Sequence, residues 1–154
     1  MNATTCFLAE LVGTAMLILL GNGVVANVLL EKSGMKGGGT VQITFGWGLA
    51  VLLPAFIFGA ASGAHFNPAL TIALAADGTI APRLVGWYIS GQMLGAMLGA
   101  TLVWALFYKH YHDIPVITTF SICGVIVEMK PQKTRDNSQH IRMKSLSRNP
   151  IRCP

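Results

Sequence analysis

Three long stretches of this 154-residue chain, residues 11–30, 37–76 and 84–108, contain no Asp, Glu, Lys or Arg. About 20 such residues at 1.5 Å rise per residue cross a ~30 Å hydrocarbon core. Water is absent there, so the backbone must satisfy its own hydrogen bonds, and each stretch is expected to be helical. A soluble bundle of fully buried helices is the competing reading. The overall charge speaks against it: 11% of residues are charged, where soluble domains average about 25%.

The formal net charge of +5 does not describe a nucleic-acid-binding face. Seven of the eleven Lys and Arg residues (Lys130, Lys133, Arg135, Arg142, Lys144, Arg148 and Arg152) follow Glu128, so the basicity belongs to a tail. Three cysteines, Cys6, Cys123 and Cys153, have neither disulfide-framework nor metal-ligand spacing. The N-terminus lacks the basic region and cleavage site of a signal peptide, so the first apolar run is expected to be retained.

Membrane spans are expected at about 7–30, 41–59 and 84–108. The glycines of the polar segment 31–39 separate the first two, and Pro54 is expected to kink the second. The segment 114–127 is apolar but too short to cross a bilayer. The basic, aperiodic sequence beyond it is expected to be disordered. Gly91, Gly95 and Gly99, spaced by four and extended by Ala96 and Ala100, put small residues on one helix face. Membrane helices pack closely through such stripes. Lys109, His110, His112 and Asp113 form a polar cluster after the third span. Polar residues at a membrane edge account for it better than a metal site.

The segment between the second and third spans carries the chemistry: Ser62-Gly63-Ala64-His65-Phe66-Asn67-Pro68-Ala69-Leu70-Thr71. Asn is among the best N-caps and Pro is favoured at the first helical position, so Asn67-Pro68 starts a helix. Asp77-Gly78 and Pro82 end it with turn chemistry. A helix over about 68–76 is half a membrane long. The residues before it must then be extended backbone at membrane depth, tolerated only where protein buries it or an aqueous path runs past it. A half-helix entering this way presents its positive end, and the carbonyls of the extended stretch, to that path.

These residues resemble the first signature loop of the aquaporin, or major intrinsic protein, family. Ser-Gly-x-His-x-Asn-Pro-Ala follows a second span and precedes a third. Ala9-Glu10 with Gly13-Thr14 is similar to the family's first helix. Ser90-Gly91-Gln92 with Gly95-Ala96 is similar to its third. The motifs run from Thr5 to about Tyr111. The resemblance implies an all-α transmembrane fold with three spanning helices and one re-entrant Asn-Pro-Ala half-helix. It implies passive conduction of glycerol, water and small polyols by a multi-pass protein of a bacterial plasma membrane, with no cofactor and no enzymatic activity. The full-length family is expected to form homotetramers in the lipid bilayer. The pore residues it implies are Trp47, Ala64, His65, Phe66, Asn67, Pro68 and Ala69. Asn67 is expected to donate its amide at the pore centre, the carbonyls of Ala64, His65 and Phe66 to accept, and Trp47 to form the bulky outer constriction of the glycerol facilitator branch. A place in the interfacial aromatic belt is the alternative for Trp47. Glu10, Thr14 and Gln92, with Gly91, Gly95 and Gly99, are expected to support the loop. Glu10 is expected to hold it with the His65 side chain as its contact, or else to be neutral and bond backbone alone.

The family is built of two inverted repeats, and residues 1–113 are read as the first. No second Asn-Pro-Ala occurs: Asn149-Pro150 is followed by Ile151. The change of character after 113 suggests a truncated gene or a shifted reading frame, and a product that does not conduct. A non-conducting remnant, or a subunit packing on a partner through Gly91, Gly95 and Gly99, is the alternative function. The family's topology would place the tail outside the cell, whereas the positive-inside rule places it within.

Overall fold

A computed structural model describes residues 2–111 of the chain, Tyr111 by its backbone alone. Its elements are α1 (Ala3–Leu29), α2 (Gly39–Ser62), α3 (Pro68–Ala76), α4 (Pro82–Leu106) and the single turn α5 (Tyr108–Tyr111). Three of them, α1, α2 and α4, are long and apolar enough to cross a membrane. The unaligned tail and the residues His112 and Asp113 lie outside the described residues.

Each helix starts a few residues before the span read from hydrophobicity; α2 also ends later, whereas α1 and α4 end one and two residues earlier. Asn2 caps α1, its side chain accepting from Thr4 N–H at 3.4 Å. At the other end Ser33 Oγ lies 2.6 and 2.8 Å from the Asn27 and Leu30 carbonyls, which share its one proton, and Gly37 N–H bonds the Val28 carbonyl at 3.0 Å. These bonds satisfy the carbonyls a helix end leaves open. An ion pair between Lys36 and Glu31 closes the same loop. α2 continues through Pro54 to Ser62, where Gly63 adopts the left-handed conformation at φ 84° and ends it.

α1 is the hub. It packs on α2 along one side and on α4 along the other, and α3 packs on α4. The α1–α4 seam is the glycine stripe. A Cβ at Gly91 would stand 2.6 Å from the Phe7 carbonyl oxygen, and one at Gly99 would stand 2.6 Å from that of Ala15. One at Gly95 would collide with the Leu11 carbonyl. The two backbones therefore touch where side chains normally stand, which is how membrane helices gain contact without a hydrophobic drive. This overturns the stripe as a partner-binding face: Gly91, Gly95 and Gly99 are buried against the chain's own first helix.

Candidate functional site

α3 is nine residues long, about 13 Å. Asn67 is its N-cap: extended at φ −149°, it accepts Ala69 N–H on Oδ1 at 2.8 Å, and Pro68 takes the first helical position. Between Ser62 and Asn67 the chain turns sharply. Ala64 and Phe66 hold positive φ, 53° and 47°, a region non-glycine residues enter at a cost of order 1–3 kcal/mol each.

Glu10 holds this backbone in place. Its carboxylate is fully buried and accepts four hydrogen bonds. Oε1 takes Ser62 Oγ–H at 2.6 Å and His65 N–H at 3.0 Å; Oε2 takes Phe66 N–H at 2.7 Å and Gln92 Nε2–H at 2.8 Å. Charge-assisted bonds of this kind are about twice as strong as neutral ones, and here they offset the strain at Ala64 and Phe66. The peptides of the described residues are trans, so each N–H and the carbonyl before it point in opposite directions. Fixing the N–H groups of His65 and Phe66 on Glu10 therefore turns the carbonyls of Ala64 and His65 to the other side of the loop.

The His65 side chain makes no hydrogen bond to Glu10 among the described residues, contrary to the expectation from sequence. Its Nδ1 lies 3.1 Å from Thr71 Oγ1. Thr71 donates its hydroxyl to the Asn67 carbonyl at 3.1 Å and receives Gln92 Nε2–H at 3.0 Å. With that hydroxyl proton committed, Nδ1 is the donor to Thr71. The reason for the difference is reach: the turn at Ala64 puts the backbone nearest the carboxylate and swings the imidazole toward α3 and α4. Gln92 thus bridges α1 and α3 from α4. Thr14, one turn beyond Glu10, is buried, and its hydroxyl has no partner among the described residues.

Several residues of the site carry roles the sequence reading did not assign. Tyr88 is fully buried; its hydroxyl donates to the Ser62 carbonyl at 2.5 Å and its ring lies on His65, centroids 4.6 Å apart. The available signal was its place one turn before Gln92 on the same face of α4. Ser62 accepts Ala64 N–H at 3.1 Å while donating to Glu10. Gly13 and Gly21 are notches in α1. A Cβ at Gly13 would overlap the Phe66 ring, and one at Gly21 would stand 2.6 Å from the Trp47 ring. Trp47 is half-buried in the α1–α2 seam, eight residues inside α2, about 12 Å from its end.

The family model for major intrinsic proteins matches residues 1–142, further than the motifs alone could be followed. A glycerol uptake facilitator protein of Streptococcus pneumoniae is 50% identical over 102 residues, 66% of this chain and 44% of the relative. One of Bacillus subtilis is 45% identical over 107 residues, 70% of this chain and 39% of the relative. A glycerol facilitator-aquaporin of Lactococcus lactis is 42% identical over 136 residues, 86% of this chain and 46% of the relative. The X-ray structure of the aquaglyceroporin from Plasmodium falciparum superposes with a TM-score of 0.67 at 30% identity, covering 73% of this chain and 45% of that one. The chain thus spans less than half the length of these relatives. It belongs to the major intrinsic protein family, and it is a multi-pass membrane protein of bacterial type.

Proposed function

We propose that this chain supplies the first-repeat half of a passive channel for glycerol, water and small neutral solutes, and that it does not conduct alone. The observation that supports this reading most directly is the Glu10 clamp. By holding the N–H groups of His65 and Phe66, it presents the Ala64 and His65 carbonyls as a row of acceptors leading to Asn67 and the positive end of α3. A hydroxyl-bearing solute hands its donors along such a row. A cation meets the positive helix end, and any ion would lose more hydration than the row returns. In this reading Asn67 donates to the solute, and Trp47, seated on Gly21, gives the polyol carbon chain an apolar wall. Pro68 and Ala69 set the direction of α3. No catalysis, cofactor or energy source is assigned. The complete channel is expected to assemble as a homotetramer.

The test completes the channel. Residues 1–111 are joined to the second half of a glycerol uptake facilitator relative, and glycerol and water fluxes are recorded by vesicle swelling. The reading expects glycerol flux well above protein-free vesicles, and a lower ratio of glycerol to water flux in Trp47→Phe. A folded, inserted chimera that passes no glycerol removes the reading. Unchanged relative fluxes in Trp47→Phe remove the role given to Trp47.

A further inference from the structure

A Cβ at Gly21 would stand 2.6 Å from Trp47 Cζ3 and 2.7 Å from Cε3 and Cη2. The outer edge of the indole thus occupies the place of a missing side chain on α1. Gly21 is buried, whereas Trp47 is half-buried: one side of the ring is on α1 and another is open. The two helices are already in contact at this level. One turn along α1, Val24 closes on Gly46, where a Cβ would stand 2.6 Å from Val24 Cγ1. Glycine weakens a helix interior relative to alanine. Gly23 and Gly48, on the same two helices, meet nothing within 4 Å, so the absent Cβ has a use at Gly21 that it lacks there.

We propose that Gly21 is a specificity-determining residue: its missing side chain recesses Trp47 into α1, and the width left beside the ring sets how bulky a polyol the channel passes. This rests on Trp47 forming a wall of the path, as proposed above. The methyl of Gly21→Ala strikes the far edge of a side chain with two rotatable bonds, not backbone. The fold therefore absorbs it by turning the ring. With α1 behind the ring and Val24 packed on Gly46 beside it, the ring turns toward its open side, and the path narrows there by about one methyl. Water tolerates that narrowing. A three-carbon chain sliding along the ring does not, and a four-carbon chain still less. One methylene in a close-fitting apolar pocket discriminates by roughly 10- to 200-fold.

In the completed channel, followed by vesicle swelling, Gly21→Ala is expected to lower glycerol flux roughly tenfold. Flux of erythritol, a four-carbon polyol, is expected to fall further, and water flux to stay nearly unchanged. Gly23→Ala is the control, expected to leave all three fluxes as they were. Trp47→Phe carries a shorter ring, so adding Gly21→Ala to it is expected to cost distinctly less glycerol flux than adding it to the native sequence. The contact itself is measured in the full 154-residue chain: Gly21→Ala is expected to be less favourable to the unfolding midpoint in mixed micelles with Trp47 than with Trp47→Phe. A channel that passes glycerol with equal glycerol-to-water ratios in Gly21→Ala and Gly23→Ala overturns this inference and leaves the channel standing. Equal effects of Gly21→Ala with and without Trp47→Phe overturn it as well, because the glycine would then act on something other than the ring. Failure of Gly21→Ala to insert would mean that the ring is not free to turn, with the same result. A completed channel that passes no glycerol removes the wall that Trp47 would form, and this inference with it.

Discussion

At the scale of single residues, the site depends on one carboxylate with four donors. Removing it strands Ser62 Oγ–H, two backbone N–H groups and Gln92 Nε2–H where no water replaces the bonds. Each buried donor left unmade costs roughly 1–3 kcal/mol, and positive φ at Ala64 and Phe66 loses its restraint. Glu10→Ala is therefore expected to destabilise the fold by about 3–5 kcal/mol, the range for breaking a buried charged cluster. Glu10→Gln keeps the shape but turns one acceptor oxygen into a donor facing donors, so it is expected to recover only part of that loss. Reversible unfolding in mixed detergent micelles measures both. A Glu10→Ala variant as stable as the native chain would show that the loop is held from elsewhere, with Tyr88 on Ser62 and His65 the remaining candidate.

Among the elements, the α1–α4 seam is where the smallest change separates the most structure. The backbones meet at Gly91, Gly95 and Gly99, and the atoms a Cβ would strike are carbonyls of α1, not the flexible ends of side chains. Gly95→Leu is expected to push α4 away from Leu11 and carry Gln92 off Glu10 and Thr71, costing about 1–3 kcal/mol through overpacking alone and more through the lost bonds. The unfolding midpoint should fall further than in Gly48→Leu, because a Cβ at Gly48 meets nothing within 4 Å; equal midpoints would remove the close-packing role. The seam was legible in the sequence because a four-residue spacing of glycine fixes a face. Its partner was not, since any helix can use such a stripe. The half-helix was equally legible: Asn-Pro fixes a start, and Asp77-Gly78 with Pro82 a stop. Legibility failed where a contact depends on how a short irregular backbone turns. Nothing in the order Ser62 to Asn67 says that Ala64 adopts a positive φ, and that single choice decides that Glu10 meets the backbone of His65 and not its ring. The seats for Phe66 and Trp47 at Gly13 and Gly21 were hidden for a related reason: a lone glycine in a membrane helix is common and does not name the ring that fills it.

For the whole molecule, the expected outcome is that the 154-residue chain conducts neither glycerol nor water by itself. α3 is the half-helix among the described residues, and its nine residues reach about 13 Å into a core of ~30 Å. In the loop before it, the N–H groups of His65 and Phe66 are taken by Glu10. On its other side the Ala64 and His65 carbonyls would face lipid, where each unsatisfied polar group costs several kcal/mol. Two copies in parallel place both half-helices in the same leaflet and leave the other half of the path unbuilt. Two copies in opposite orientations would imitate an inverted repeat. That requires insertion both ways, against the bias of seven Lys and Arg after Glu128. Purified chain in liposomes, followed by stopped-flow light scattering beside protein-free vesicles, is expected to give matching glycerol and water rates. The channel completed with a family second half is expected to exceed both. Flux from the chain alone, lost on changing Asn67, would mean that two copies of this one repeat can close a pore around their paired loops, and that the Ala64 and His65 carbonyls of each loop line a path completed by the other copy.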